Sequence, residues 1–294
     1  MKKKNLLMLL IAGVLMLSAC GTTSTVPISG RKHNLLVTDE EVLSLSTKEY
    51  TQYMASAKKS TNATNTAMVT RVGKKLANAV ETYLKNNGME ADLKNYSWEF
   101  NLVADKQVNA FCMPGGKIVV YEGLLPVTQN EASLAIVLGH EIAHAVAKHS
   151  AEQLSKKYRQ QYGTQAGAAV LGALGVDQGI TQTASAVAGQ YFSFKNLKYS
   201  RDNESEADYI GLILSAMAGY DPSVAVSFWQ RMAASSTNNT SELFSDHPSD
   251  ATRIANINKW LPEAQKYYKP ATATKTKTKT TKTKTTKKTT KKKK

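Results

Sequence analysis

Cysteine is scarce: Cys20 and Cys112 are the only two in 294 residues. Their contexts differ, and a chain of this length with two such residues is not a disulfide-framed miniprotein. Long apolar runs are missing too. The run from Leu6 to Leu17 stops at 12 residues, and the stretch from Gly163 to Val176 is short and interrupted. A helix that crosses a bilayer needs ~20. Acid is absent from residues 271–294, which hold 11 Lys, while Lys2, Lys3 and Lys4 sit at the other end. These two ends account for nearly all of the formal charge of +15, and residues 5–270 carry a net +1. A nearly neutral body offers no basic face for nucleic acid, and no specific nucleic-acid partner is expected. With 42% hydrophobic and 21% charged residues, the chain is not wholly disordered. Its length is enough to bury a sizeable core. No internal repeat and no second domain are visible.

The two ends stand apart from the fold. Residues 1–19 have a basic start, a short apolar middle and small residues after it, the pattern of a secretory signal. Leu17-Ser18-Ala19-Cys20-Gly21 resembles the bacterial lipobox, with Cys20 as the lipidated residue; the alternative is an ordinary cleaved signal. Acyl chains rather than a helix would then anchor the protein. Gly21 after the cysteine, where an Asp would favour retention at the inner membrane, points to the outer membrane and the periplasm. Residues 20–35 are polar and turn-rich and read as a lipidated tether. Residues 270–294 alternate Lys and Thr and cannot build a core. They are either a solvated tail or a contact for anionic lipid, lipopolysaccharide or another polyanion.

Residues 36–269 form the expected domain. Helices are predicted over 39–58 and 64–87; the second carries Met68, Val69, Val72, Leu76, Val80 and Leu84 on one face. Asn87-Gly88 ends it. Residues 96–103 alternate as a strand, and 108–122 hold a Pro114-Gly115-Gly116 turn followed by a second strand. One long helix is predicted over 129–160, capped by Asn130. A flexible helical segment over 163–190 and helices over 198–219, 222–234 and 248–260 complete the set. Few strands, close together among many helices, predict an α+β fold, mainly helical, with a small sheet packed on helices.

His140-Glu141-Ile142-Ala143-His144 matches H-E-x-x-H inside an apolar helical run. On a helix the two histidines stand about 40° apart, one turn from each other. Two such imidazoles share a Zn²⁺ at ~2.0–2.1 Å. Glu141 lies beside them, free to serve as general base. A catalytic zinc needs a third ligand. His149 is five residues past His144, and on a continuous helix it points about 140° away. It reads as a structural or surface residue. Glu204 and Asp208, at i,i+4 on a later helix, are the better candidates. Two carboxylates on one face repel unless a cation sits between them. Glu204 is assigned to the metal, and Asp208 to the outer N–H of a ligand histidine. Glu206 falls on another face and is expected to be exposed.

These residues resemble the HtpX-, Oma- and CAAX-prenyl-protease-type zinc metallopeptidases, the gluzincins, from about residue 35 to 260. The resemblance rests on Asn109-Ala110-Phe111 with Pro114-Gly115-Gly116, on His140 to His144, on Glu204 to Asp208, and on His247-Pro248 followed by Arg253-Ile254. It is similar to the short lipoprotein branch, without the multi-pass spans or helical-repeat domain of other members. The resemblance implies one zinc per chain and an edge strand within 108–122 that takes an extended polypeptide through Asn109, Ala110, Gly115 and Gly116. It also implies a His247 near the metal, either stabilising the oxyanion or occupying the open metal position.

The expected function is that of an envelope endopeptidase acting on misfolded or unassembled chains. The alternatives are a chaperone-like binder of extended chains with a latent zinc site, and a structural lipoprotein tethered to polyanions by its tail. A complete HExxH retains Glu141, for which a binder has no use.

Overall fold

The computed structural model describes residues 21–173, 193–195, 197–236 and 251–270. Cys20, His247 and the Lys/Thr-rich tail lie outside the described residues.

Strands β1 (Thr22–Thr25) and β2 (Lys32–Leu35) pair antiparallel, Thr22 opposite Leu35. This corrects the reading of 20–35 as a tether. Val26 and Leu35 at the hairpin's two ends are buried, and Ile28 N donates to the Tyr83 hydroxyl at 3.1 Å. Two four-residue polar strands have no apolar alternation to announce them; distant contacts hold the hairpin in place.

Helix α1 (Asp39–Ser56) starts at a capping box in which Thr38 and Glu41 satisfy each other's backbone N–H. Helix α2 (Ala63–Asn86) buries Val69, Val72, Leu76, Val80 and Leu84, the stripe its spacing predicts. Gly88, at φ 70°, turns the chain so that Met89 N–H reaches the Leu84 carbonyl at 2.9 Å.

The three-stranded sheet has β3 (Glu99–Val103), β4 (Ala110–Met113) and β5 (Lys117–Tyr121) in the order β3-β5-β4. β3 runs parallel to β5 and β4 antiparallel to it. Alternation along the strands sends Ala110, Cys112, Ile118 and Val120 into the main core, and Phe111, Met113, Val119 and Tyr121 into a second cluster on the other face.

Helix α3 (Glu131–Val146) starts at Asn130, whose side chain accepts from Ser133 N, and is buried on every side from Ser133 onward. Such a helix is the centre of a domain rather than its skin. The single helix predicted over 129–160 is in fact two. The chain breaks at Ala147-Lys148, where Lys148 takes φ 56°, and α4 (His149–Ala173) leaves in a new direction. Nothing in the local sequence marks this break, because a positive φ at lysine is uncommon. Lys148 Nζ bonds Asp39 Oδ2 at 2.8 Å, tying the corner to the start of α1.

Helix α5 (Arg201–Met217) begins at a Ser200–Asn203 capping box and lies against α3. Helices α6 (Val224–Ser236) and α7 (Ala251–Ala264) close the main core with Phe228, Trp229 and Ile257. Where α3 crosses α5, Gly139 and Gly211 meet. A methyl group on Gly211 would stand 2.6 Å from His140 N, and one on Gly139 2.7 Å from the Gly211 carbonyl oxygen. Two glycines thus allow backbone-to-backbone contact between the helices that carry the site.

Candidate active site

The crossing of α3 and α5 brings His140, His144 and Glu204 together, each offering one donor atom within 4.8 Å of the others. The Nε2 atoms of His140 and His144 face each other at 3.1 Å. Glu204 Oε2 lies 3.3 Å from His140 Nε2, and its Oε1 lies 3.4 Å from His144 Nε2. A tetrahedral zinc with ligands at ~2.0–2.1 Å separates its donor atoms by about 3.3–3.4 Å. The two-imidazole, one-carboxylate chemistry fits that ion, with one donor atom from each residue within 4.8 Å of the others. Glu141 follows His140 on the same helix and is buried beside the cluster. Its charge reaches β4: burial, and then Glu141, push the Cys112 thiol well above its ordinary range.

Each histidine is held from behind. His140 Nδ1 lies 2.8 Å from Asp208 Oδ1, the juxtaposition expected from the i,i+4 spacing. Asp208 in turn takes two bonds from Arg253, at 2.6 Å from Nε and 2.8 Å from Nη2. The guanidinium lies over the Trp229 ring, 3.7 Å from its centroid. On the other side, His144 Nδ1 lies 2.9 Å from His149 Nδ1, and Tyr199 stacks on the His144 ring at 4.0 Å.

Electrostatics divide the pair. Burial opposes a charge on His140, yet the bonds to Asp208 and Glu204 outweigh it and raise the imidazole to about 9. Burial, with His140 and His149 adding to it, holds His144 well below its ordinary value. Burial works against Asp208 as an anion, but Arg253 and His140 lower it nonetheless.

For His149 the structural alternative holds and the surface one does not: it is fully buried, and it points toward His144 rather than away, because the break at Lys148 swings the start of α4 back toward the site. A second expectation is corrected outright. Glu206 is largely covered rather than exposed: His149 Nε2 lies 2.9 Å from its Oε2, and Arg31 bonds the same oxygen. Sequence reading gave no role to Arg253, Trp229 or Tyr199. For Arg253 a signal existed: it stands four residues before buried Ile257, on the apolar face of α7.

The residues expected to take substrate lie at the sheet. Asn109 and Ala110 lead into β4, and the Asn109 carbonyl accepts from Tyr121 N at 3.0 Å. Gly115 and Gly116 form the β4–β5 turn with φ 90° and 78°. At Gly116 a side chain would also collide with Trp98. Pro114 and Gly115 line a small cavity together with His144, Tyr96 and Lys148.

A mainly helical α+β domain with a helix-borne HExxH and a downstream glutamate has the fold and donor set of a gluzincin-type zinc protein. The description of Peptidase family M48 matches residues 65–261, and the chain belongs to that family. It is similar to the mitochondrial metalloendopeptidase OMA1 of Schizosaccharomyces pombe, 38% identical over 195 residues, covering 63% of this chain and 53% of that one. The human mitochondrial metalloendopeptidase OMA1 is 29% identical over 245 residues, 82% of this chain and 46% of that one. The beta-barrel assembly-enhancing protease of Escherichia coli is 28% identical over 182 residues, 59% of this chain and 37% of that one. The chain thus spans about half the length of these relatives, or less.

Proposed function

We propose that the protein is a zinc-dependent endopeptidase of the bacterial cell envelope that cleaves misfolded or unassembled polypeptides. The observation that carries this reading is the convergence of His140, His144 and Glu204 at zinc spacing, with Glu141 buried beside them. His140, His144 and Glu204 would hold the ion, which supplies Lewis-acid polarisation of the scissile carbonyl and of the attacking water. Glu141 takes the proton released by that water and returns it to the leaving amine. Asp208 and Arg253 keep the His140 ring in one tautomer and one orientation. His247 is assigned to the developing oxyanion.

An extended polypeptide would add to the sheet at β4, one of its two outer strands among the described residues, near Asn109 and Ala110 and the Gly115–Gly116 turn. Main-chain recognition of this kind suits unfolded segments of varied sequence. The envelope location is supported by the lipobox-like Cys20 and by similarity to proteins named beta-barrel assembly-enhancing proteases. No described helix is long and apolar enough to cross a membrane. In this reading acyl chains on Cys20 hold the protein at the outer membrane, facing the periplasm. The 11 lysines of residues 271–294 would add a salt-sensitive contact with polyanions.

The test is a trap. Glu141→Gln protein, expressed with its signal intact, should retain uncleaved envelope polypeptides that His140→Ala protein processed in parallel does not accumulate. Equal sets of bound proteins in both variants would overturn the reading. Cys20→Ser should move the protein from the membrane to the soluble fraction, and persistence on the membrane would remove the anchor from the account.

A further inference from the structure

Behind His144 a chain of bonds runs out of the active site and ends on the N-terminal hairpin. His144 Nδ1 meets His149 Nδ1 at 2.9 Å, and His149 Nε2 meets Glu206 Oε2 at 2.9 Å. Glu206 Oε2 then takes Arg31 Nε at 2.7 Å, while the Ser29 hydroxyl donates to Oε1. Ser29 and Arg31 stand in the turn between β1 and β2, where Gly30 at φ 72° and a Val26 N to Arg31 carbonyl bond of 2.7 Å fix the loop. The burial is graded: His149 is sealed, Glu206 nearly so, and Arg31 is partly open to solvent.

The chemistry of this chain has one consistent direction. If His144 binds a metal through Nε2, its neutral ring carries the proton on Nδ1 and donates it to His149 Nδ1. His149 must then carry its own proton on Nε2, where the Glu206 carboxylate accepts it. Arg31 keeps Glu206 aimed at His149. A Glu206 turned away from His149 would release the tautomer of His149, and with it the acceptor that holds the His144 ring. The arrangement parallels His140–Asp208–Arg253, with an imidazole inserted to span the longer distance.

We propose that His149, Glu206 and Arg31 are positioning residues for the zinc ligand His144, and that the hairpin 22–35 is a working part of the metal centre. The hairpin also braces the third ligand. Arg31 and His33 both bond Glu152, and Asn203, in the capping box at the start of α5, donates to the other oxygen of Glu152 at 3.1 Å. Glu204 is the next residue on that helix. The inference rests on the zinc reading proposed above, and it extends that reading to residues more than a hundred positions upstream of the ligands they serve.

The experiment uses the full mature chain with Arg31→Ala, Arg31→Lys, Glu206→Gln and His149→Gln. Zinc affinity is measured by competition with a chromophoric chelator. Ligand-field absorption is recorded after Co²⁺ replaces zinc, and thermal unfolding of the metal-free form serves as the folding control. Glu206→Gln and His149→Gln should weaken zinc by about 10–100-fold and alter the Co²⁺ bands. Arg31→Ala should shift both in the same direction, and Arg31→Lys, which restores a cation beside Glu206, should recover part of the loss. Adding Arg31→Ala to Glu206→Gln should cost less affinity than Arg31→Ala costs in wild type, since the branch through Glu206 is already cut and only the Glu152 contact is left to lose. Unchanged zinc affinity and Co²⁺ spectra in Arg31→Ala and His149→Gln, with a wild type that binds zinc normally, would overturn this inference alone. A wild type that takes up no zinc would overturn the peptidase reading and this inference together.

Discussion

His140 and His144 present their Nε2 atoms to each other at 3.1 Å, and each has its Nδ1 atom pinned from behind, by Asp208 and by His149. Neither ring can turn away without breaking a buried bond. Such a site is built before its metal arrives, and the chain's stability is spent partly on keeping it so.

Gly211 sets the distance between the two helices of the site. In an exposed helix, glycine to alanine stabilises by about 1 kcal/mol. Here the added methyl would meet His140 N at 2.6 Å, so the sign reverses. Gly211→Ala should cost about 1–3 kcal/mol and weaken zinc binding, because α3 must move away from Glu204. Denaturant melts with a zinc titration check it; a variant as stable as wild type and with normal zinc affinity would count against the close crossing.

Arg253 neutralises a buried carboxylate. Its removal leaves Asp208 charged and without its bidentate partner, and breaking such a buried pair costs about 3–5 kcal/mol. Arg253→Met should therefore lower the unfolding free energy by about that amount and reduce zinc affinity as His140 loses its fixed acceptor. A loss below about 1 kcal/mol in denaturant unfolding would show that solvent reaches Asp208.

The hairpin should come loose in acid. Burial works against the Glu152 anion, but bonds from His33 and Arg31, and the nearby His149, hold its carboxyl below the ordinary 4.5. Its folded value is the depressed one, so its contribution is fully present above pH 4.5 and is lost as pH falls through the lowered value. Wild type should lose more thermal stability between about pH 5 and pH 3 than Glu152→Gln does. Parallel melting curves over that window would contradict the assignment.

What the sequence made legible was local in origin. The stripe from Val69 to Leu84 and the four-residue spacings of His140/His144 and Glu204/Asp208 each follow from the pitch of one helix. What stayed hidden depends on how separate pieces meet. His149 could not be placed while α3 and α4 were read as one helix, and the break rests on a lysine at φ 56° that carries no glycine or proline signal. The hairpin strands, Thr-Thr-Ser-Thr and Lys-His-Asn-Leu, lack apolar alternation, and Arg31 owes its position to Glu206, 175 residues away. His247 and Cys20 fall outside the described residues, and their assignments remain proposals resting on sequence.

The central claim is that Glu141 works on water beside a zinc held by His140, His144 and Glu204. Zinc content and cleavage of an unstructured polypeptide, measured side by side on wild type and Glu141→Gln, test it most directly. The account predicts one zinc per chain in both proteins, and cleavage about 10²–10⁴-fold slower in the variant. A Glu141→Gln protein that cleaves at the wild-type rate, or a wild type that cleaves undiminished after its metal is stripped, would contradict it.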